Sequence, residues 1–95
     1  MPATHFERLI SASVDEFVRG VRAAFPDAAQ VDGTRCTIAV PPVTLAITLT
    51  PLAPRRIALL ALPQLNAAFA FEGGSAAEQA RLLEHLDRSM HRGGG

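Results

Sequence analysis

Apolar and polar positions along this 95-residue chain change their spacing several times, and each change marks an element. From Thr4 to Ile10, Phe6 and Ile10 fall on one side and His5 and Glu7 on the other, the pattern of a half-buried strand. Ser13-Val14-Asp15-Glu16 then reads as a capping box, in which Ser13 and Glu16 each satisfy a free backbone N–H. The helix it opens carries Val14, Phe17, Val18, Val21 and Phe25 on one stripe, with Asp15, Glu16, Arg19 and Arg22 on the wet side. Asp15 is placed to pair with Arg19 one turn on, and Pro26 ends the helix.

Asp32-Gly33 is a turn signal. Thr34 to Val40 alternates after it, predicting a strand that buries Cys36, Ile38 and Val40, and Pro41-Pro42 forces a turn. The cleanest period-2 run is Val43 to Thr50, with Val43, Leu45, Ile47 and Leu49 sharing one face. Prolines bound an expected loop from Pro51 to Arg56, then a short strand from Ile57 to Leu62. Pro63-Gln64 reads as a turn into a last strand, Leu65 to Glu72, with Leu65, Ala67, Phe69 and Phe71 inward. After Gly73-Gly74, Ser75-Ala76-Ala77-Glu78 is a second capping box. It opens a helix to about His91 whose buried stripe is Gln79, Leu82, Leu83, Leu86 and Met90. Glu84 can pair with Arg88, and Arg88, His91 and Arg92 complement the helix dipole.

The predicted order is strand, helix, four-strand meander, helix. It makes one α+β domain over residues 1–95 with a frayed tail at 93–95. A meander of short connections requires an antiparallel sheet, and both amphipathic helices must cover its one strongly apolar face.

The opening run, Phe6-Glu7-Arg8-Leu9-Ile10-Ser11-Ala12-Ser13-Val14-Asp15-Glu16-Phe17, passes from a strand through small residues into an acidic capped helix. In this it resembles the start of START-like, polyketide-cyclase-like helix-grip domains, which also run through an antiparallel meander to a long last helix. The resemblance implies an apolar small molecule held between the sheet and that helix. The chain is shorter than a usual member, with two strands fewer. A sheet wrapped on one helix, as in cystatin or monellin, is the alternative layout.

Composition narrows the classes. Nine basic residues balance nine acidic ones, which predicts no nucleic-acid or acidic-membrane partner. Every basic residue is an arginine and alanine is abundant, a bias expected of a GC-rich bacterial genome. The segment around Pro2, His5, Glu7 and Arg8 lacks the basic-then-apolar run of a secretory signal, and no apolar run is long enough to span a bilayer. The expected location is the cytoplasm.

Candidate chemistry is sparse. Cys36 falls on the inward side of its strand, where an inert buried thiol is expected. His85 and His91 are six apart on a helix and point in different directions, while Asp87 and His91 supply only two ligands, too few for a metal site. No nucleophile-elbow motif accompanies them, and Gly73-Gly74-Ser75 lacks the lysine and spacing of a phosphate loop. The sequence therefore offers no catalytic residue, metal or cofactor.

Two features point to binding. Arg55-Arg56, in a proline-bounded segment, could clamp a carboxylate or phosphate. The outward sheet face is expected to carry Leu9, Thr37, Ala39, Thr44, Ala46, Thr48, Ala58, Leu60, Leu62, Asn66, Ala68 and Ala70, a small and largely uncharged set. Ile57 to Leu62 is apolar at every position, so something must cover Leu60 and Leu62. The expected function is that of a non-catalytic interaction domain that forms a homodimer around Leu60, Leu62, Ala68 and Ala70. Carriage of an apolar small molecule in a helix-grip cavity is the alternative.

Overall fold

The computed structural model describes residues 4–93, with side chains to Met90. Its elements are β1 (Thr4–Ile10), α1 (Val14–Ala24), β2 (Ala29–Asp32), β3 (Arg35–Val40), β4 (Val43–Ile57), β5 (Leu60–Glu72) and α2 (Ala76–Gly93). The strands form one antiparallel sheet in the order β1-β5-β4-β3-β2, so the first strand returns to pair with the last.

Both helices lie on one face of this sheet. Phe17, Val21 and Ala24 of α1 and Leu82 and Leu86 of α2 share a core with Cys36, Ile38, Val43, Leu45, Ile47, Leu49, Leu65, Ala67, Phe69 and Phe71. Each helix starts as its sequence requires. Ser13 and Glu16 close one reciprocal capping box, and Ser75 and Glu78 close the other. Gly20 lets the helices touch, because a Cβ there would collide with the Met90 sulfur. Further along, the His85 ring stands edge-on to Phe25 and its Nε2 lies 2.8 Å from the Ala24 carbonyl oxygen. Of the expected one-turn ion pairs, Glu84–Arg88 closes at 3.2 Å, whereas Asp15 and Arg19 form none. The side chains of His91 and Arg92, and the tail at 94–95, lie outside the described residues.

Several strand boundaries differ from the expected ones. Ala29–Asp32 is a strand in its own right, joined to β3 through a turn in which Gly33 takes φ 61°. Val40 is exposed: it lies beyond the end of the β2–β3 ladder at Ile38, beside the turn into β4. The largest difference lies between Pro51 and Gln64. That stretch is neither a loop nor a separate strand followed by a turn. It is the outer half of one long hairpin, β4–β5, whose turn is Ala58-Leu59.

The prolines survive in this hairpin because β4 loses β3 beyond Thr48 and β5 loses β1 beyond Leu65, so further out each strand has a neighbour on one side only. A missing N–H on such an open edge breaks no ladder bond. The irregularity between Leu52 and Arg55 absorbs Pro54 as a bulge. The hairpin thus projects past the helices as a two-stranded arm, and the molecule measures 46 × 24 × 23 Å. Among the described residues, no helix is long and apolar enough to cross a membrane.

Candidate interaction surface

Every residue from Thr50 to Pro63 is exposed. This would be ordinary if the arm were polar, but apart from Thr50, Arg55 and Arg56 it is apolar, and it is wholly apolar from Ile57 through the tip to Pro63. Leu59 is 102% exposed, Leu60 63% and Leu62 38%, and Leu52 and Ile57 are also open to solvent. The ladder fixes which of these share a side. Leu52 pairs with Gln64, Arg55 with Leu62 and Ile57 with Leu60, and facing residues of an antiparallel ladder point the same way. Counting by twos along β5 places Leu60, Leu62 and Gln64 on the side of Asn66, Ala68 and Ala70. One side of the arm therefore continues the open face of the sheet.

That open face is built in rows. Glu7, Ala68, Thr48 and Arg35 lie in register across four strands, as do His5, Ala70, Ala46 and Thr37. Small residues at the centre and long ones at the margins leave a shallow hollow of about 460 Å³, floored by Ala46, Thr48, Ala68 and Ala70 and rimmed by His5, Glu7 and Arg35. The next row is Leu9, Asn66 and Thr50, and Leu9 is 65% exposed. The side chain of Asn66 donates to the Glu7 carboxylate at 3.4 Å, the one side-chain hydrogen bond on this face among the described residues.

The expected surface residues thus divide between two places. Ala68 and Ala70 floor the hollow, while Leu60 and Leu62 sit on the arm beside it. Ala58 is not on the face: it occupies the arm's turn with φ 54°, a left-handed conformation that costs an alanine about 1–2 kcal/mol. Arg55 and Arg56 lie within β4 rather than in a loop. As adjacent strand residues they point to opposite sides, so they do not converge on one anion.

The other reactive groups stay apart. Cys36 is fully buried under the helices, and burial pushes its thiol pKa up, away from the thiolate a nucleophile needs. His5 is on the open side of the sheet and His85 on the helix side. No three metal-ligating side chains gather among the described residues.

One polar cluster escaped the sequence reading. Arg8 points inward with Phe6 and Ile10, and its guanidinium is bound by both Asp87 carboxylate oxygens, at 2.7 and 3.2 Å. It lies 5.3 Å from the centroids of both the Phe6 and Phe69 rings, which stack on each other at 4.8 Å. The cluster floors a cleft of about 580 Å³ between α1 and α2, walled by Ile10, Phe17, Gly20, Leu86 and Met90. An arginine on the buried parity of a strand was the available signal, since such a charge requires a partner across the core. No family model matches this chain, and no curated protein matches its sequence.

Proposed function

We propose that this chain is a non-catalytic interaction domain that works as a homodimer, associating through the arm and the open side of the sheet. The observation that carries this reading is the arm itself, with Leu60 and Leu62 exposed on the same side as the alanine-floored hollow. Each aliphatic side chain left in water forgoes roughly 1.5–3 kcal/mol available on burial. An isolated hairpin gains nothing by such a tip, and its open edges invite unwanted pairing unless they are covered. A second copy supplies a matching surface without any further component.

Sedimentation equilibrium tests the reading directly. The protein should be dimeric at micromolar concentration, and Leu60→Asp combined with Leu62→Lys should give a folded monomer. A wild-type chain that stays monomeric at high micromolar concentration would sink the proposal.

The second reading, carriage of an apolar small molecule, is favoured by the cleft between α1 and α2. Ile10, Phe17, Leu86 and Met90 suit the apolar body of such a ligand, while the Arg8–Asp87 pair at the floor is already satisfied and leaves the cleft without a free cation there. Native mass spectrometry of freshly purified protein distinguishes the two readings. A ligand mass on a monomer supports carriage, and a ligand-free dimer supports self-association.

A further inference from the structure

We infer that two copies pair face to face by exchanging their arms, each arm lying over the hollow of the other; this rests on the self-association proposed above. A two-fold axis that turns the arm of one copy onto the body of the other must run across the strands, so that β5 lies antiparallel over β5. The position of the axis follows from the length of the hairpin. From Asn66, the arm on β5 reaches outward to Leu60 and the body inward to Glu72, the same number of residues each way. An axis at the row of Leu9, Asn66 and Thr50 therefore superposes the two halves.

With the axis there, Leu62 falls over Ala70 of the second copy and Gln64 over Ala68. Leu52, opposite Gln64, falls over Thr48, which is opposite Ala68. Leu62, Leu52 and the long stem of Arg55, which falls over Ala46, thus meet the small floor of the hollow, while Leu60 falls over Glu72. Leu9, otherwise an unexplained exposed leucine on an edge strand, meets its own copy across the axis, since residues near the axis of an isologous interface are self-opposed.

The area distinguishes reciprocal from one-sided contact. An aliphatic side chain of this size hides roughly 60–120 Å² on burial. Leu52, Ile57, Leu60 and Leu62 on two arms, with the two surfaces they cover, remove on the order of 960–1,900 Å² from water, against about 1,200–2,000 Å² for a stable interface. One arm on one face supplies half of that, which falls short.

Cysteine cross-linking tests this arrangement, with Cys36 left in place because it is buried. Leu62 and Ala70 lie on one strand about 27 Å apart, so a bis-maleimide with a reach of about 10 Å, the spacing of packed sheets, cannot join them within one chain. Leu62→Cys with Ala70→Cys should give a covalent dimer, as should Leu9→Cys alone, whereas Leu62→Cys alone should not. Circular dichroism and sedimentation first establish that each variant is folded and dimeric. A dimer that fails to cross-link in the double variant, or that cross-links through Leu62→Cys alone, overturns arm exchange and leaves self-association standing. A wild-type monomer at high micromolar concentration overturns both. Flotation of that monomer with anionic phospholipid vesicles would identify a lipid surface, not a second copy, as what covers the arm.

Discussion

Arg8 of β1 and Asp87 of α2, 79 residues apart in sequence, form a two-pronged ion pair at 2.7 and 3.2 Å. It fastens the last helix to the edge strand that the first residues of the chain contribute. Both side chains are roughly 40% exposed, so the charge–charge part is screened by water and salt. Asp87→Asn should therefore cost only about 0.5–1 kcal/mol, and less at high salt. Arg8→Ala should cost more, because the guanidinium also packs on Phe6 and Phe69. Arg8→Lys should not restore the difference, since an ammonium offers neither the fork nor the flat face. Urea denaturation of the three variants checks this order, and equal losses for Arg8→Ala and Asp87→Asn would contradict it.

The core makes a stronger demand. Ile47 in the inner half of β4 and Phe69 facing it on β5 are both buried against the helices. Truncating either to alanine should destabilise the fold by about 2–5 kcal/mol, the sum of lost transfer energy and the cavity left behind. Thermal and denaturant melts provide the measurement. A loss below about 1 kcal/mol at both sites would mean that the two faces of the sheet have been exchanged.

The strand faces were legible because Val43 to Leu49 and Leu65 to Phe71 alternate without a fault, and both helices because each has its stripe and its capping box. What the sequence hid follows from context. Pro51, Pro54 and Pro63 look like breakers, yet in a two-stranded ribbon each strand is an edge and tolerates them. Ala29–Asp32 is too short for its alternation to stand out from the turn beside it. For the candidate surface, the apolar run from Ile57 to Leu62 singled out Leu60 and Leu62, and both are exposed in the structure. Their place on a projecting arm depends on the Ala58-Leu59 turn, which contains none of the glycine or asparagine that usually announces a hairpin.

Acid should loosen both helix starts. Hydrogen bonds from the Ser13 backbone N–H and then the Ser13 hydroxyl hold the Glu16 carboxyl below its ordinary value of 4.5, and Ser75 does the same for Glu78. A carboxyl whose pKa is lower folded than unfolded stabilises the fold above the unfolded value, and that contribution disappears as pH falls through the folded one. Stability should therefore decline below about pH 4.5. In Glu16→Gln with Glu78→Gln that part of the slope should flatten. Denaturation midpoints measured from pH 6 to pH 3 decide the matter, and an unchanged slope in the double variant would refute it. Ser13→Ala, which removes one hydrogen bond of the box at every pH, should cost about 0.5–2 kcal/mol.

The turn of the arm offers the last test. Ala58 takes φ 54°, where its Cβ crowds the backbone, and Leu59 beside it is fully exposed. Glycine has no Cβ and adopts this conformation freely, though it gives up more freedom on folding. The relieved strain, about 1–2 kcal/mol, exceeds that entropy, about 0.5–1 kcal/mol. Ala58→Gly should thus stabilise the chain by up to roughly 1 kcal/mol. Valine at the same site should do the reverse, since a β-branched side chain tolerates positive φ worst. Because the arm projects from the body, the gain should be larger in hydrogen exchange of the arm amides than in the global melt. If Ala58→Gly leaves arm exchange unchanged while Ala58→Val protects it, the turn does not have the left-handed geometry described here.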